Sequence, residues 1–380
     1  MFSEPCFLFW PVGTGDSTTV VINDDTIFQV DLRHLDKSQD DEDDHAAIVD
    51  MLVEELPQKN DQPYLAAFAL THPDQDHIQG FENLLSQVTI GELWFTPRVF
   101  REHEEDLCDD AVVFKEEAER RVKKMIETGG DAAAGDRLRL VGYDDLLKED
   151  EFSGFPEEYL TIPGNAVTEL DGEDRKGDFR AFIHAPFKDD AEGDRNDTSL
   201  AMQIVLGDDP KEGGLLLFGD LKYPTLRRIF DASKEAGNEE SLAWQVMLAP
   251  HHCSKSVMYQ DEDGTEVKKQ DLLDDIDAAQ VGEGIIISSS EEIPSSNKKG
   301  DNPPHAKAKA RYEEIAGGVF LCTHEDGEEG EPLKFTSVDG VINYDSDSNG
   351  EAAKSDDIQA AVDSARGGDE PPAGKVGFGR

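Results

Sequence analysis

The sequence predicts an α/β or mixed sandwich, because short apolar runs alternate with segments of helical period and several of those runs stop at a carboxylate or an imidazole. Residues 7–11 and 17–22 read as strands around the turn Gly13-Thr14-Gly15-Asp16. A third strand, 26–31, ends in Asp31. Between 45 and 56, Ala47, Ile48, Met51, Leu52 and Leu56 recur at helical spacing. The apolar run from Tyr64 to Leu70 suits a buried strand, 81–88 a short helix and 90–95 another buried strand. Residues 101–128 place Phe114, Ala118, Val122 and Met125 on one stripe, and Gly129-Gly130 would end that helix. The stretch 100–178 as a whole reads as an insertion or cap over the core. Strand signals return at 179–185, 199–206, 214–219, 245–249 and 284–288, and 319–323 with 332–344 suggest a closing hairpin. The expected organisation is one body over 1–345, followed by an acidic tail, 346–380, rich in Asp, Ser, Gly, Ala and Pro and expected to be disordered.

The segment that follows Leu70 carries the most chemistry. Thr71-His72-Pro73-Asp74-Gln75-Asp76-His77 sets four metal-competent side chains within six residues, at the end of a rigid strand. Imidazole combined with carboxylate suits zinc or manganese, and one ion cannot use all four groups. Other runs share this syntax. Ile27 to Val30 leads into Asp31, Leu215 to Gly219 into Asp220, Val246 to Pro250 into His251-His252, and Ile285 to Ile287 into Ser288, with His305 beyond. Several strands ending on one edge would bring Asp31, His72, Asp74, Asp76, His77, Asp220 and His251 together. A carboxylate at Asp220 is suited to bridge two ions, one oxygen to each.

Composition limits the partners. With 84 acidic against 36 basic residues the formal charge is −48, which repels polyanions at long range and argues against a broad basic nucleic-acid grip. Divalent ions invert that field locally, so hydrolysis of a phosphodiester at a metal centre stays open. No run of about 18 apolar residues is present to span a bilayer, so no membrane association is expected. Cys6, Cys108, Cys253 and Cys322 are scattered with no Cys-x-x-Cys pair, and no basic-then-apolar leader opens the chain. A cytoplasmic protein with reduced thiols is the expectation.

These motifs, in this order, resemble the metallo-β-lactamase superfamily, and more specifically the hydrolase domain of ComEC-type DNA-uptake proteins. The resemblance rests on Gly13-Thr14-Gly15-Asp16-Ser17, the Thr71-to-His77 segment, Asn196-Asp197-Thr198-Ser199-Leu200, Phe218-Gly219-Asp220 and Pro250-His251-His252-Cys253-Ser254-Lys255. It implies a four-layer αββα sandwich with two divalent metal ions, zinc or manganese. Carried over by position, His72 and Asp74 hold one ion, Asp76, His77 and His251 hold the other, and Asp220 bridges. Asp31, Asn196 and His252 then support those ligands from behind. The superfamily's third histidine at the first ion has no counterpart here, Asn196 or Asp197 lying nearest in order, and Cys253 stands where relatives usually have Gly. The membrane channel of the DNA-uptake relatives has no match in the sequence.

The expected activity is metal-dependent hydrolysis of phosphodiesters, as a nuclease or nucleotide phosphodiesterase. In that reading Asp76 orients the attacking water, Lys255 pairs with a phosphate and His305 protonates the leaving group. The same fold would serve an ester, thioester or lactone hydrolase, or a metal- or partner-binding module without turnover, the acidic tail then offering a protein partner its contact.

Overall fold

The computed structural model describes residues 1–344 apart from 41, 191, 192, 194 and 299, so the expected tail, 346–380, lies outside the described residues. The first sheet begins with β1 (Cys6–Phe9), β2 (Thr18–Asn23), β3 (Thr26–Val30) and β4 (Gln62–Leu70), and continues with β5 (Thr89–Phe95), β6 (Arg137–Val141) and β7 (Leu160–Thr161). The second contains β8 (Ala166–Val167), β9 (Arg180–Ala185), β10 (Ala201–Val205), β11 (Gly214–Leu217), β12 (Trp244–Leu248), β13 (Gln280–Ser288) and β14 (Phe320–Cys322). The chain then returns to the first sheet as β15 (Leu333–Val338) and β16 (Val341–Tyr344). Strand order is β16-β15-β1-β2-β3-β4-β5-β6-β7 in the first sheet and β14-β13-β12-β11-β10-β9-β8 in the second.

Side-chain alternation sets the layers. On β4, Ala67 and Ala69 join the core between the sheets, while Phe68 and Leu70 join a separate outer core. On β12, Val246 and Leu248 face inward and Met247 outward. Each sheet is therefore apolar on both faces and needs helices outside it. The outer core of the first sheet is closed by α1 (Ile48–Glu55), α2 (Phe81–Gln87) and α3 (Asp109–Thr128). That of the second is closed by α4 (Tyr223–Ala236), α5 (Gln270–Ala278) and α6 (Ala306–Ile315). The architecture is the four-layer αββα sandwich expected. Each fully buried Phe, Leu or Val contributes roughly 1.5–3 kcal/mol relative to exposure.

The structure departs from the expectations in three places. The stretch 100–178 is not a cap. Its helix α3 buries Phe114, Ala118, Val122 and Met125 against the first sheet, and β6 pairs with β5 as an ordinary strand of that sheet. The buried Arg121 ties the two together, donating to the carbonyls of Ile90 and Arg137. The closing hairpin is also different: β14 pairs in parallel with β13 in the second sheet, whereas β15 and β16 pair with each other and with β1 in the first. Finally, α4, α5 and α6 have no counterpart among the sequence expectations, although Leu226, Ile229, Phe230 and Ser233 mark the buried stripe of α4 at helical spacing.

Parallel pairing positions the chemistry. β3, β4 and β5 run parallel, as do β11, β12 and β13, so each trio delivers its carboxyl ends to one edge. The two edges meet where the Leu200 N–H donates to the Thr71 carbonyl at 3.0 Å. Gly219 sits at that junction with φ +51°, where an added Cβ would lie 2.9 Å from Cβ of Ser199. Among the described residues no helix is long and apolar enough to cross a membrane.

Candidate metal centre

Asp31, the first residue beyond β3, anchors the loop that follows β4. Its carboxylate accepts the Thr71 N–H at 2.7 Å and the Thr71 hydroxyl at 2.6 Å, and lies 2.7 Å from His77 Nδ1. With Nδ1 committed to Asp31, His77 turns Nε2 toward Asp220. The loop is further fixed by backbone bonds from Leu32 N–H to the His77 carbonyl (2.8 Å) and from Asp16 N–H to the Asp76 carbonyl (3.1 Å). Gly15 allows this approach, since a Cβ there would stand 2.6 Å from the Asp76 carbonyl oxygen.

After β12 the chain makes a tight left-handed turn. His251, His252 and Cys253 all have positive φ, 51°, 51° and 63°, and Asp31 has 56°. Such conformations cost roughly 1–3 kcal/mol each and persist where the surroundings hold them. Here the turn splits the two adjacent imidazoles. His251 Nε2 lies 3.5 Å from Asp220 Oδ2, and His252 Nε2 lies 3.4 Å from Asp220 Oδ1.

Each oxygen of Asp220 thus faces its own set of donors. Around Oδ1 stand His77 Nε2 at 3.3 Å and His252 Nε2, itself 3.3 Å from Asp76 Oδ2, with Asp16 Oδ1 3.2 Å from His252 Nδ1. Ligand atoms of Asp16, His77, Asp220 and His252 all lie within 4.8 Å of one another, and all four residues are buried. Around Oδ2 stand His72 Nε2 at 3.7 Å, His251 Nε2 at 3.5 Å and the Asn196 amide at 3.0 Å, with Asp74 Oδ2 3.5 Å from His72. Buried polar atoms left without a hydrogen-bond partner gather here: His72 Nε2, Asp220 Oδ1, Asp16 Oδ1, His251 Nδ1 and His252 Nδ1. Orphaned imidazole nitrogens beside carboxylates are the donor set that zinc or manganese takes, so the residues fit a metal. The mouth is formed by Asp76, Asp74 and His251, whose side chains are 35%, 26% and 20% exposed while His72 and His77 are fully covered.

Without a cation the site holds its charge on protons. Burial opposes a charged His252, yet the carboxylates of Asp220, Asp16 and Asp76 outweigh it and raise its pKa to about 10. His77 is likewise raised against its burial by Asp220 and Asp31. Burial would raise Asp220, but His252, His77 and His72 hold it well below the usual carboxylate range. Ligation through Nε2 requires the neutral ring, so binding must expel these protons. We expect release of about two protons per chain at pH 7, read from the buffer dependence of the calorimetric heat of zinc binding. Because both pKa values are raised, the proton competes throughout neutrality; affinity should climb from pH 6 to 8 and fall as pH drops. Proton-neutral, pH-independent binding would show that these rings are not ligands.

No family model matches the chain, and no curated protein matches it. Among solved structures, it is similar to the metallo-beta-lactamase fold protein YhfI from Bacillus subtilis, at 10% identity over 87% of this chain and 100% of that one, with a TM-score of 0.40. The zinc-bound PqqB from Methylobacterium extorquens is similar at 10% identity over 84% and 87% of the two chains, with a TM-score of 0.37. A diphosphatase from the PhnP family is similar at 8% identity over 87% of each chain, with a TM-score of 0.35. Likenesses of this depth carry over neither residues nor activity.

The geometry regroups the sequence-derived set. His72, Asp74, Asp76, His77, Asp220, His251 and His252 converge, with Asp31 and Asn196 in contact behind them. His252, expected as a support, stands among Asp76 and His77, while His251, expected there, joins His72 and Asp74. Asp16 belongs to the cluster and was expected only as part of a turn; its signal was the Gly-x-Gly-Asp spacing. Lys255 and His305 turn elsewhere. Lys255 Nζ pairs with Glu266 at 2.7 Å, on the hairpin that spans Tyr259–Glu262 and Thr265–Lys268. His305 Nδ1 accepts the Lys255 N–H at 3.3 Å and its Nε2 lies 3.1 Å from the Asp301 carbonyl, which leaves neither nitrogen for a leaving group. Cys253 is fully buried, with its thiol pushed up to about 12 by burial, and packs against the His305 carbonyl.

Proposed function

We propose that the chain is a metal-dependent hydrolase of phosphodiesters, a nuclease or nucleotide phosphodiesterase of the metallo-β-lactamase type resembling the ComEC-type domain. The observation that carries this reading is Asp220, whose two oxygens each face a separate set of imidazole and carboxylate donors. His77, His252, Asp76 and Asp16 would hold one divalent ion and His72, Asp74 and His251 the other. His251 would supply the third position that the sequence motif leaves open at the first ion. When bound, such ions supply Lewis acidity and bring the pKa of water close to neutral.

The protein's own groups do the rest. Asp31 keeps His77 in the tautomer that presents Nε2, and Asn196 orients Asp220 through its amide. Asp76, the most exposed ligand, is placed to orient water. Cationic side chains stand around the mouth despite the chain's overall acidity. Arg195 is 3.1 Å from Asp74, and the partly buried Arg33 packs beside Gly15, next to Asp76. That local charge supports an anionic substrate and takes over the role expected of Lys255.

The net charge of −48 favours small neutral esters or lactones as the competing substrate class. A panel of single- and double-stranded DNA, RNA, cyclic nucleotides and chromogenic esters, run with zinc- and manganese-loaded protein, separates the two. Turnover of a phosphodiester is the expected result. All phosphodiesters left intact while an ester is cleaved would overturn the assignment.

A further inference from the structure

A second constellation of ligand-type side chains lies outside the centre just described. Ligand atoms of Asp44, His45 and His324 lie within 4.8 Å of one another. The rings of His45 and His324 are 5.7 Å apart between centroids. Two carboxylates flank them. Asp44 is 3.1 Å from His45 Nδ1 and 3.6 Å from His324 Nε2, and Glu291 is 3.1 Å from His45 Nε2 and 3.7 Å from His324 Nδ1. Residues 44–45, 291 and 324 come from three segments remote in sequence, so only the fold assembles them.

Glu291 backs both rings, facing His45 Nε2 and His324 Nδ1. The His45 side chain is 3% exposed, and its Nδ1 also lies 2.7 Å from Asp43 Oδ1. A carboxylate behind each ring takes one nitrogen and leaves the other, His45 Nδ1 and His324 Nε2, to face Asp44, as in carboxylate–histidine–metal triads. The three carboxylates of Asp43, Asp44 and Glu291 outnumber the nearby cations, Lys37 and Arg33.

We propose that Asp44, His45 and His324, with Glu291 backing both rings, form an accessory site for a transition-metal dication of the zinc or cobalt kind, distinct from the pair at Asp220. Two imidazoles with a carboxylate match that class and not magnesium or calcium, which take oxygen donors. The site braces the loop that carries Asp16. The Glu291 N–H donates to Thr14 Oγ1 at 3.3 Å, and the Ser289 hydroxyl donates to the Gly15 carbonyl. An added Cβ on Gly13 would come within 3.3 Å of both Glu291 and His45, so that loop and this site are in direct contact.

The test uses zinc alone as the probe and the Asp220→Ala background to weaken the main centre. In equilibrium dialysis of full-length Asp220→Ala, the accessory site should contribute one zinc per chain. Adding His324→Ala, at a side chain 22% exposed, should abolish it. Asp44→Asn with Glu291→Gln, both close to half exposed, should do the same without removing a ring. Circular dichroism of each variant confirms the fold. Equal zinc content in Asp220→Ala with and without these changes, or none in Asp220→Ala itself, would overturn the accessory site while leaving the main centre untouched.

Discussion

Asp220→Ala is expected to abolish metal-dependent hydrolysis, with kcat/KM down by about a thousandfold or more. The size of that effect follows from position. Each Asp220 oxygen faces a different donor set, so one substitution removes a ligand from both. Loss of a group behind a ligand typically costs only about 10–100-fold. Asp220→Asn separates charge from shape: it keeps the size of the side chain and removes the anion that holds His77 and His252 protonated. Zinc content at the centre should fall for both variants, and far-ultraviolet circular dichroism should not change. Turnover within tenfold of wild type for either variant would contradict a shared ligand.

Asp31 carries the second large effect, through different physics. Its carboxylate satisfies the Thr71 N–H, the Thr71 hydroxyl and His77 Nδ1 inside a fully covered pocket. Asp31→Ala strands all three, and a buried donor left unmade costs about 1–3 kcal/mol. The expected loss is therefore roughly 3–5 kcal/mol of stability, aggravated because Ala tolerates φ +56° less well than Asp. Asp31→Asn keeps a residue suited to that backbone, so it should fold, yet it frees His77 to rotate or change tautomer. Zinc affinity should then weaken about 10–100-fold, with KM for substrate changing less than kcat. Chemical denaturation and metal titration read the two losses independently. An Asp31→Asn protein with unchanged affinity would remove Asp31 from any positioning role.

The parts of this molecule that could be read in advance are local ones. His72 to His77 sit on one loop after one strand, so composition and spacing alone place them together. Asp31 and Asp220 were legible because a parallel strand with an apolar face must end at the common edge. The four layers follow the same way, since strands such as β12 alternate Val246, Met247 and Leu248 between two apolar surroundings. What escaped depends on backbone handedness or on distant partners. The division of His251 from His252 is produced by three consecutive left-handed residues, which no side-chain pattern announces. Lys255 is drawn away by Glu266, and His305 by a backbone donor and a backbone carbonyl, contacts that exist only once the following hairpin and loop are in place. The stretch 100–178 looked like an insertion because its helix is highly charged, but the buried stripe and Arg121 of that helix make it part of the outer layer of the first sheet, and β6 is a strand of that sheet.

The most direct measurement is anomalous diffraction from crystals of the zinc- or manganese-loaded protein. Two peaks flanking the Asp220 carboxylate are expected, one contacted by His77, His252 and Asp76, the other by His72, Asp74 and His251. A map with no ion against Asp220, and those imidazoles turned to solvent or to protein partners, would contradict a two-cation centre at the meeting of the two sheets.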